Sequence, residues 1–198
     1  MEHVKIRVAT GADAEALVKI YAPYVENTAV TFEYTVPTPV EFSRRIAEIQ
    51  EKYPYLVAER NGELVGYAYA NTFKGRAAYD WAVEVSIYVR MDQKKSGVGS
   101  ALYEALEQVL SLQNILNLNA AITNAEHEDE HFTKGSLEFH RRMGYRMVGE
   151  FHQCGCKFGR WYNTVWMEKH LGDHAVNPPA VKRFDEIRTL LAERCGID

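Results

Sequence analysis

A chain of 198 residues with 46% hydrophobic and 25% charged residues suits one domain, or one domain with a short appendage. That composition excludes collagen-like, low-complexity and fully disordered classes. With 23 Lys and Arg against 27 Asp and Glu, the net charge of −4 argues against a nucleic-acid binder held by a broad basic face.

The elements follow in chain order. Lys5 to Ala9 alternates as a short strand, with Ile6 and Val8 inward. Thr10 with Asp13 three residues on caps a helix whose apolar stripe is Leu17, Ile20, Tyr21 and Tyr24. A polar loop, Asn27 to Pro37, carries the aromatics Phe32 and Tyr34. Thr38, Pro39 and Glu41 open a second helix with Phe42, Ile46 and Ile49 on one side, closed by Pro54. Tyr55 to Arg60 and Glu63 to Thr72 form a hairpin on the Asn61-Gly62 turn.

Trp81 to Val89 is a strand that sets Val83, Val85, Ile87 and Val89 on one face and Glu84, Ser86 and Tyr88 on the other. Ser96-Gly-Val-Gly99 leads into a helix from about Ser100 to Leu112. Its buried side is Leu102, Leu106, Val109 and Leu110. A strand, Leu118 to Thr123, precedes an acidic, His-bearing loop from Glu126 to Lys134. Ser136 to Met143 is a short helix stopped by Gly144. Tyr145 to Phe151 and Trp161 to Leu171 are the last strands. Beyond Gly172 comes the break Asn177-Pro-Pro179, then one amphipathic helix with Val181, Phe184, Ile187 and Leu191. The expected fold is α/β, a single mixed sheet flanked by helices over 1–172, with a C-terminal extension at 173–198.

The longest uncharged stretch, 108–125, holds six Asn or Gln side chains and is too polar to span a bilayer. Met1 to Thr10 has no long apolar run of a secretory signal. Cys154, Cys156 and Cys195 therefore read as reduced thiols in a cytoplasmic protein.

The segment most telling for chemistry is the strand 81–89, the loop 90–97 and the helix after it. A strand ending in a glycine-containing loop that opens a helix presents unpaired amides at the positive end of the helix dipole, an anion cradle. Gly97 and Gly99 let the backbone approach a phosphate, and Lys94 and Lys95 add charge. No Gly-Lys-Ser/Thr follows, as a nucleotide loop requires. The third glycine position of a dinucleotide fingerprint is Leu102, so the carrier is of another kind.

The loop Lys94-Lys-Ser-Gly-Val-Gly99, after a strand carrying Glu84, resembles the acetyl-CoA pyrophosphate loop of the GNAT superfamily of N-acetyltransferases. Ile20-Tyr21, Thr31-Phe-Glu33, Tyr55-Leu-Val-Ala58, Val65-Gly-Tyr-Ala-Tyr69, Arg76-Ala-Ala-Tyr-Asp-Trp81, Val83-Glu-Val-Ser-Ile-Tyr-Val89, Phe139-His140, Gly144-Tyr145 and Lys157-Phe-Gly-Arg-Trp161 narrow it. Together they are similar to the phosphinothricin acetyltransferase-like branch over roughly residues 4 to 171.

The resemblance implies acetyl-CoA as co-substrate, bound by Ile87, Tyr88 and Val89 of the strand, by the loop Lys94, Lys95, Ser96, Gly97, Val98, Gly99 and Ser100, and by Ser136. Lys94 stands where the family usually has Gln or Arg. The family's Asn near the pantetheine arm has its counterpart at Thr133 or at Asn124. His140 occupies the position of a Tyr that bonds the coenzyme sulfur in related enzymes. The branch is typically dimeric, so a homodimer is expected, and Lys157, Arg160 and Trp161 are further candidates for the acceptor site, placed to reach a neighbouring subunit.

Acetyl transfer to an amine needs a neutral amine, a polarised thioester carbonyl and a stable leaving thiolate. An alkyl ammonium titrates near 10, so a base must take its proton. Glu84, mid-strand opposite the valines, is the candidate base, directly or through water. His140, ordinarily near 6.5, is the candidate proton donor to the thiolate, and an amide near Ile87 the oxyanion donor. Arg76 suits a carboxylate or phosphinate, and Phe32, Tyr34 and Tyr79 wall an aliphatic chain, fitting a small amino-acid-like acceptor. Two alternatives share the fold, a protein or peptide N-acetyltransferase and a non-catalytic acyl-CoA-binding module.

Two motifs are set aside. His127-Glu-Asp-Glu-His131 matches His-Glu-x-x-His in letters, but lacks the apolar helix and third ligand that a zinc site needs. Cys154-Gly-Cys156 has no second cysteine pair. No metal is expected.

Overall fold

The computed structural model describes residues 4–197. The strands are β1 (Lys5–Val8), β2 (Tyr55–Arg60), β3 (Glu63–Thr72), β4 (Ala82–Val89), β5 (Asn117–Asn124), β6 (Arg146–Lys157) and β7 (Arg160–His170). The helices are α1 (Ala14–Asn27), α2 (Pro39–Gln50), α3 (Val98–Leu112), α4 (Gly135–Arg142), α5 (Phe184–Ile187) and α6 (Leu191–Cys195). One seven-stranded sheet runs β1-β2-β3-β4-β5-β7-β6. Its neighbours are antiparallel except β4 and β5, which are parallel.

The sheet is covered on both faces. On one, Leu17, Ile20, Tyr21 and Tyr24 of α1 with Phe42 and Ile46 of α2 bury against Tyr55, Val57 and Tyr67. On the other, Leu102, Leu106, Val109 and Leu110 of α3 and Leu137 of α4 meet Leu56, Ala68, Val83, Val85, Leu118 and Ile122. The helical stripes and strand alternation expected from the sequence supply these two cores.

Two elements differ from expectation. Strand β6 does not stop at Phe151 but continues to Lys157. A bulge makes this possible: Phe151 faces Thr164 and Gly155 faces Tyr162, with Gln153 between them at φ +48°. The chain absorbs its extra residues as a kink and resumes pairing.

The extension past Gly172 is not one helix but α5, a 3₁₀ turn at Arg188–Leu190, and α6. Phe184, Ile187, Leu191 and Ile197 join the core beside α3. The Gln113 side chain, fully buried, donates from Nε2 to the carbonyls of Lys52 and Lys182, each at 2.8 Å. Asn114 donates to Ala180 O at 2.8 Å. An added segment held by core side chains and buried amides is integral to the fold rather than a loose tail. Among the described residues, no helix is long and apolar enough to cross a membrane.

Candidate active site

The site begins with a break in pairing. Strands β4 and β5 pair at Ala82–Asn117, Val83–Leu118 and Glu84–Asn119, and among the described residues no further. Beyond Glu84 the two strands part. A cleft opens between them, lined by Ser86, Ile87 and Tyr88 from β4 and by Ala120 to Thr123 from β5. Thr133, Ser136 and His140 close one side, and Tyr103 of α3 contributes a wall. A broken parallel pair leaves backbone edges that a ligand's amides can reach.

At the other end of β4 lies the loop 90–97. Gly97 sits at φ +88°, the left-handed region that glycine enters without strain, and caps α3. The first i→i−4 bond of the helix runs from the Ala101 amide to the Gly97 carbonyl at 3.1 Å. The amides of Val98, Gly99 and Ser100 precede it and are the donors that a helix start leaves open.

Gly99 serves packing instead: a Cβ there would lie 3.1 Å from the Phe139 ring. Arg60 braces the loop from behind, donating from Nη1 to Gln93 Oε1 at 2.6 Å and from Nη2 to Ser96 O at 3.3 Å. Ser96 Oγ donates to Gln93 O at 2.7 Å. Lys94 holds its Nζ 5.0 Å from the Tyr24 ring centre, and Lys95 takes φ +61°. Three open amides, two nearby cations and a cleft leading inward fit a diphosphate carried on a long narrow arm.

Glu84 is the last paired residue before the strands separate. Val83 and Val85 are buried toward α3, so Glu84 faces the other side, between Asn71 of β3 and Asn119 of β5. Burial raises its pKa above the ordinary carboxylate value, and Lys74 opposes that only in part. No hydrogen-bond or ion-pair partner holds the carboxylate among the described residues. A half-buried, unpartnered carboxylate is poised to accept a proton.

His140 is 3% exposed. Its Nδ1 lies 2.8 Å from the Ser136 carbonyl and its Nε2 2.9 Å from the Tyr103 hydroxyl. A carbonyl only accepts, so Nδ1 carries the proton and Tyr103 donates to Nε2. Burial lowers the imidazole pKa to about 4, and the bond to Ser136 opposes that shift. This revises the expectation that His140 hands a proton to the sulfur: the ring is neutral and its one proton is already donated. Tyr103 was not among the sequence candidates, although its i−3 and i+3 relation to Ser100 and Leu106 puts it on a used face of α3.

The remaining candidates divide. Ser136 and Thr133 line the cleft. The Asn124 amide is directed elsewhere, donating to Glu150 Oε1 at 2.7 Å, so of the two counterparts Thr133 is the one at the cleft. Phe32 packs onto Gly155, where any Cβ would collide with its ring, and Tyr34 Oη donates to the Cys156 carbonyl. These two residues tie the 27–37 loop to the β6 bulge. Tyr79 stands apart from them, its ring 6.0 Å from Phe73 in the loop between β3 and β4, where Arg76 is exposed.

Lys157, expected near a neighbouring subunit, is instead 3% exposed and donates from Nζ to Thr28 O at 2.8 Å and Thr31 O at 2.7 Å. Burial lowers its pKa. Arg160 bonds Asp129 and Glu130 of the acidic 126–134 loop. His131 of that loop stacks on Phe158 at 3.8 Å, with Nδ1 3.0 Å from Asn27 O.

Residues 6–166 match the family model described as an acetyltransferase (GNAT) domain. The chain belongs to the GNAT acetyltransferase family. It is 35% identical over 171 residues to a phosphinothricin N-acetyltransferase of Alcaligenes faecalis, covering 84% of this chain and 82% of that one. It is 34% identical over 171 residues to an L-methionine sulfoximine/L-methionine sulfone acetyltransferase of Pseudomonas aeruginosa, covering 84% and 94%. The crystal structure of a GNAT superfamily phosphinothricin acetyltransferase from Sinorhizobium meliloti in complex with AcCoA superposes with a TM-score of 0.80. That pair is 33% identical, with 89% of this chain and 93% of that one covered.

Proposed function

We propose that this enzyme moves the acetyl group of acetyl-CoA to the amino group of a small amino-acid-like acceptor by direct attack. The observation that carries the reading is the parting of β4 and β5 just beyond Glu84. The cleft that opens there is lined from Val85 and Ser86, the next residues after Glu84, to Ile87 and Tyr88, on the strand that runs on into the loop before α3, and the Glu84 carboxylate has a raised pKa. The relatives named for phosphinothricin and for methionine sulfoximine and sulfone support an acceptor of that class.

Acetyl-CoA, when bound, supplies an activated thioester. The amides of Val98, Gly99 and Ser100 are the donors for its diphosphate, with the charges of Lys94 and Lys95 beside them. Ile87, Tyr88, Val89, Thr133 and Ser136 border the path inward. Glu84 takes the ammonium proton, directly or through one water, and its raised pKa narrows the gap to the amine it must deprotonate. An amide near Ile87 would face the negative charge that develops on the carbonyl oxygen as the amine attacks. The carbon–sulfur bond then breaks, and the coenzyme leaves as a thiolate protonated by water.

His140 acts as a positioning residue, holding the Ser136 carbonyl and the Tyr103 hydroxyl on the cleft wall. Arg76, with Lys74 in the same loop, receives the acceptor's carboxylate. The 27–37 loop, fixed by Lys157 and by Phe32 and Tyr34, closes the chamber from the other side.

The same reading makes the protein a homodimer of the cytoplasm. Support comes from Met147, Val148, Phe151 and Trp161, large apolar residues exposed on the outer hairpin β6–β7, and from three unpaired thiols.

The test is thiol release from acetyl-CoA across amino acids and their sulfone, sulfoximine and phosphinate analogues. Release above the acceptor-free rate with at least one of them is expected. No release with any, alongside calorimetry showing no uptake of acetyl-CoA, overturns the reading.

A further inference from the structure

The C-terminal extension lies outside the family match at 6–166, yet it helps to build a second cavity of about 440 Å³. Small-molecule sites span roughly 300–1,000 Å³. One wall is aromatic, made by Phe73, Tyr79 and Trp81 around the start of β4. The facing wall is the extension itself, through His174, Ala175 and Pro178.

The two walls are bonded to each other. Trp81 Nε1 donates to Pro179 O at 2.8 Å, and His174 Nε2 lies 2.7 Å from Asn117 Oδ1 at the start of β5.

The cavity's position matters more than its size. Its lining includes Ala82 and Asn119. Ala82 lies two residues before Glu84 on the same strand, and Asn119 is the register partner of Glu84 on β5. Alternate residues share a face, and strands stand about 4.8 Å apart with about 3.3 Å per residue. The Glu84 carboxylate therefore faces the same side of the sheet as both lining residues, about 5–7 Å from them along the backbone.

We infer that residues 174–178 form part of the acceptor site and receive the acceptor's side chain. An amino acid with a large apolar or aromatic side chain lies between Ala175 and Pro178 on one side and Tyr79 and Trp81 on the other. Its α-amino group points toward Glu84, and its carboxylate toward Arg76. This rests on the acetyltransferase reading above and specifies the acceptor that reading leaves broad. The extension then sets selectivity among acceptors and has no part in holding the coenzyme.

Two measurements test it on the full chain. The first does not depend on turnover. The indole N–H signals of Trp81, Trp161 and Trp166 are assigned by Trp81→Phe and Trp161→Phe and followed during titration with L-phenylalanine in the absence of acetyl-CoA. The Trp81 signal is expected to shift saturably while that of exposed Trp161 stays in place. A Trp81 signal that stays still up to the solubility limit overturns the inference.

The second is Ala175→Phe, with Ala175→Leu as a milder filling. The kcat/KM ratio for L-phenylalanine over glycine should fall about tenfold or more, the scale at which a filled apolar pocket discriminates. An unchanged ratio in a variant that melts as the parent does overturns the inference. A saturable Trp81 shift with no acetylation of any amine supports the cavity and overturns the transfer reaction.

Discussion

The two sites proposed on either side of Glu84 are built from different materials. At the coenzyme end the donors are main-chain amides, fixed by one left-handed glycine and the start of one helix, all within the contiguous loop 90–100. At the proposed acceptor end the walls are side chains from the 73–81 loop and the residues after 172, while Lys157 fixes the neighbouring 27–37 loop through the carbonyls of Thr28 and Thr31. A backbone site depends on local geometry and tolerates substitution of most side chains around it. A side-chain site depends on distant segments meeting, and changes with any of them. The contrast explains how one scaffold keeps its carrier while its acceptor varies.

The largest effect expected is at the junction of the two ends. Glu84→Gln should lower kcat roughly 10²–10⁴-fold with acetyl-CoA affinity by calorimetry retained. Loss of both together would mean that the two ends are not separable. The acid limb of the pH–rate profile should lie above the ordinary carboxylate pKa, because the base must be ionised and its pKa is raised.

Next is Lys157→Met, which strips the half-buried Thr28 and buried Thr31 carbonyls of their donor. Each acceptor left unpaired costs about 1–3 kcal/mol, so the melting midpoint should fall by about 5 °C or more. The acceptor KM should rise, with the acetyl-CoA Kd unmoved. A variant that weakens both equally would tie the 27–37 loop to the coenzyme end as well.

His140 supplies a pH test. Its folded pKa of about 4 lies below the ordinary 6.5, so the unfolded chain binds the proton first as pH falls. Its contribution is whole above pH 6.5 and declines toward pH 4, on the order of 3 kcal/mol in all. His140→Phe should flatten that slope in chemical-denaturation midpoints while the acetylation rate above pH 7 loses no proton-donor limb. A lost limb would restore His140 as an acid.

A smaller loss belongs to Gly97→Ala, which places a Cβ in the left-handed region at about 1–2 kcal/mol. Calorimetry should read about a tenfold rise in acetyl-CoA Kd and little change in acceptor selectivity.

The smallest effect runs the other way. The raised Glu84 pKa means that the folded state holds the ionised carboxylate at a cost. That cost is absent below the ordinary carboxylate pKa and complete above the folded one. Glu84→Gln should therefore raise the melting midpoint at pH 7 by on the order of 1–3 °C.

What could be read from the residues follows the same division. The Asn61-Gly62 hairpin, the α3 stripe and the Gly97 loop are local patterns, and each formed where its spacing put it. Strand β6 ran past its expected end because a bulge at Gln153 has no periodic signature. The tail showed its apolar positions, but not the 3₁₀ turn that splits its helix. Lys157 looked like a surface cation, since nothing nearby in sequence says that the carbonyls of Thr28 and Thr31 await it. Tyr103 was not singled out, since nothing in the sequence says that His140, 37 residues on, faces it. The pairing of Trp81 with Pro179 joins residues that share no local pattern at all.

The carboxamide of Gln113 links the turn after α2 to the strand-like approach to α5. Its partners lie in the first third and the last tenth of the chain. During synthesis the ribosome delivers them far apart in time. The early part of the core must wait, with α3 uncovered, until the segment after Gly172 emerges and Phe184, Ile187 and Leu191 can settle. Completion of this core therefore waits on the synthesis of residues 184–191, and a polypeptide cut short of them by a stop codon would be left with bare apolar surface for chaperones and proteases to find.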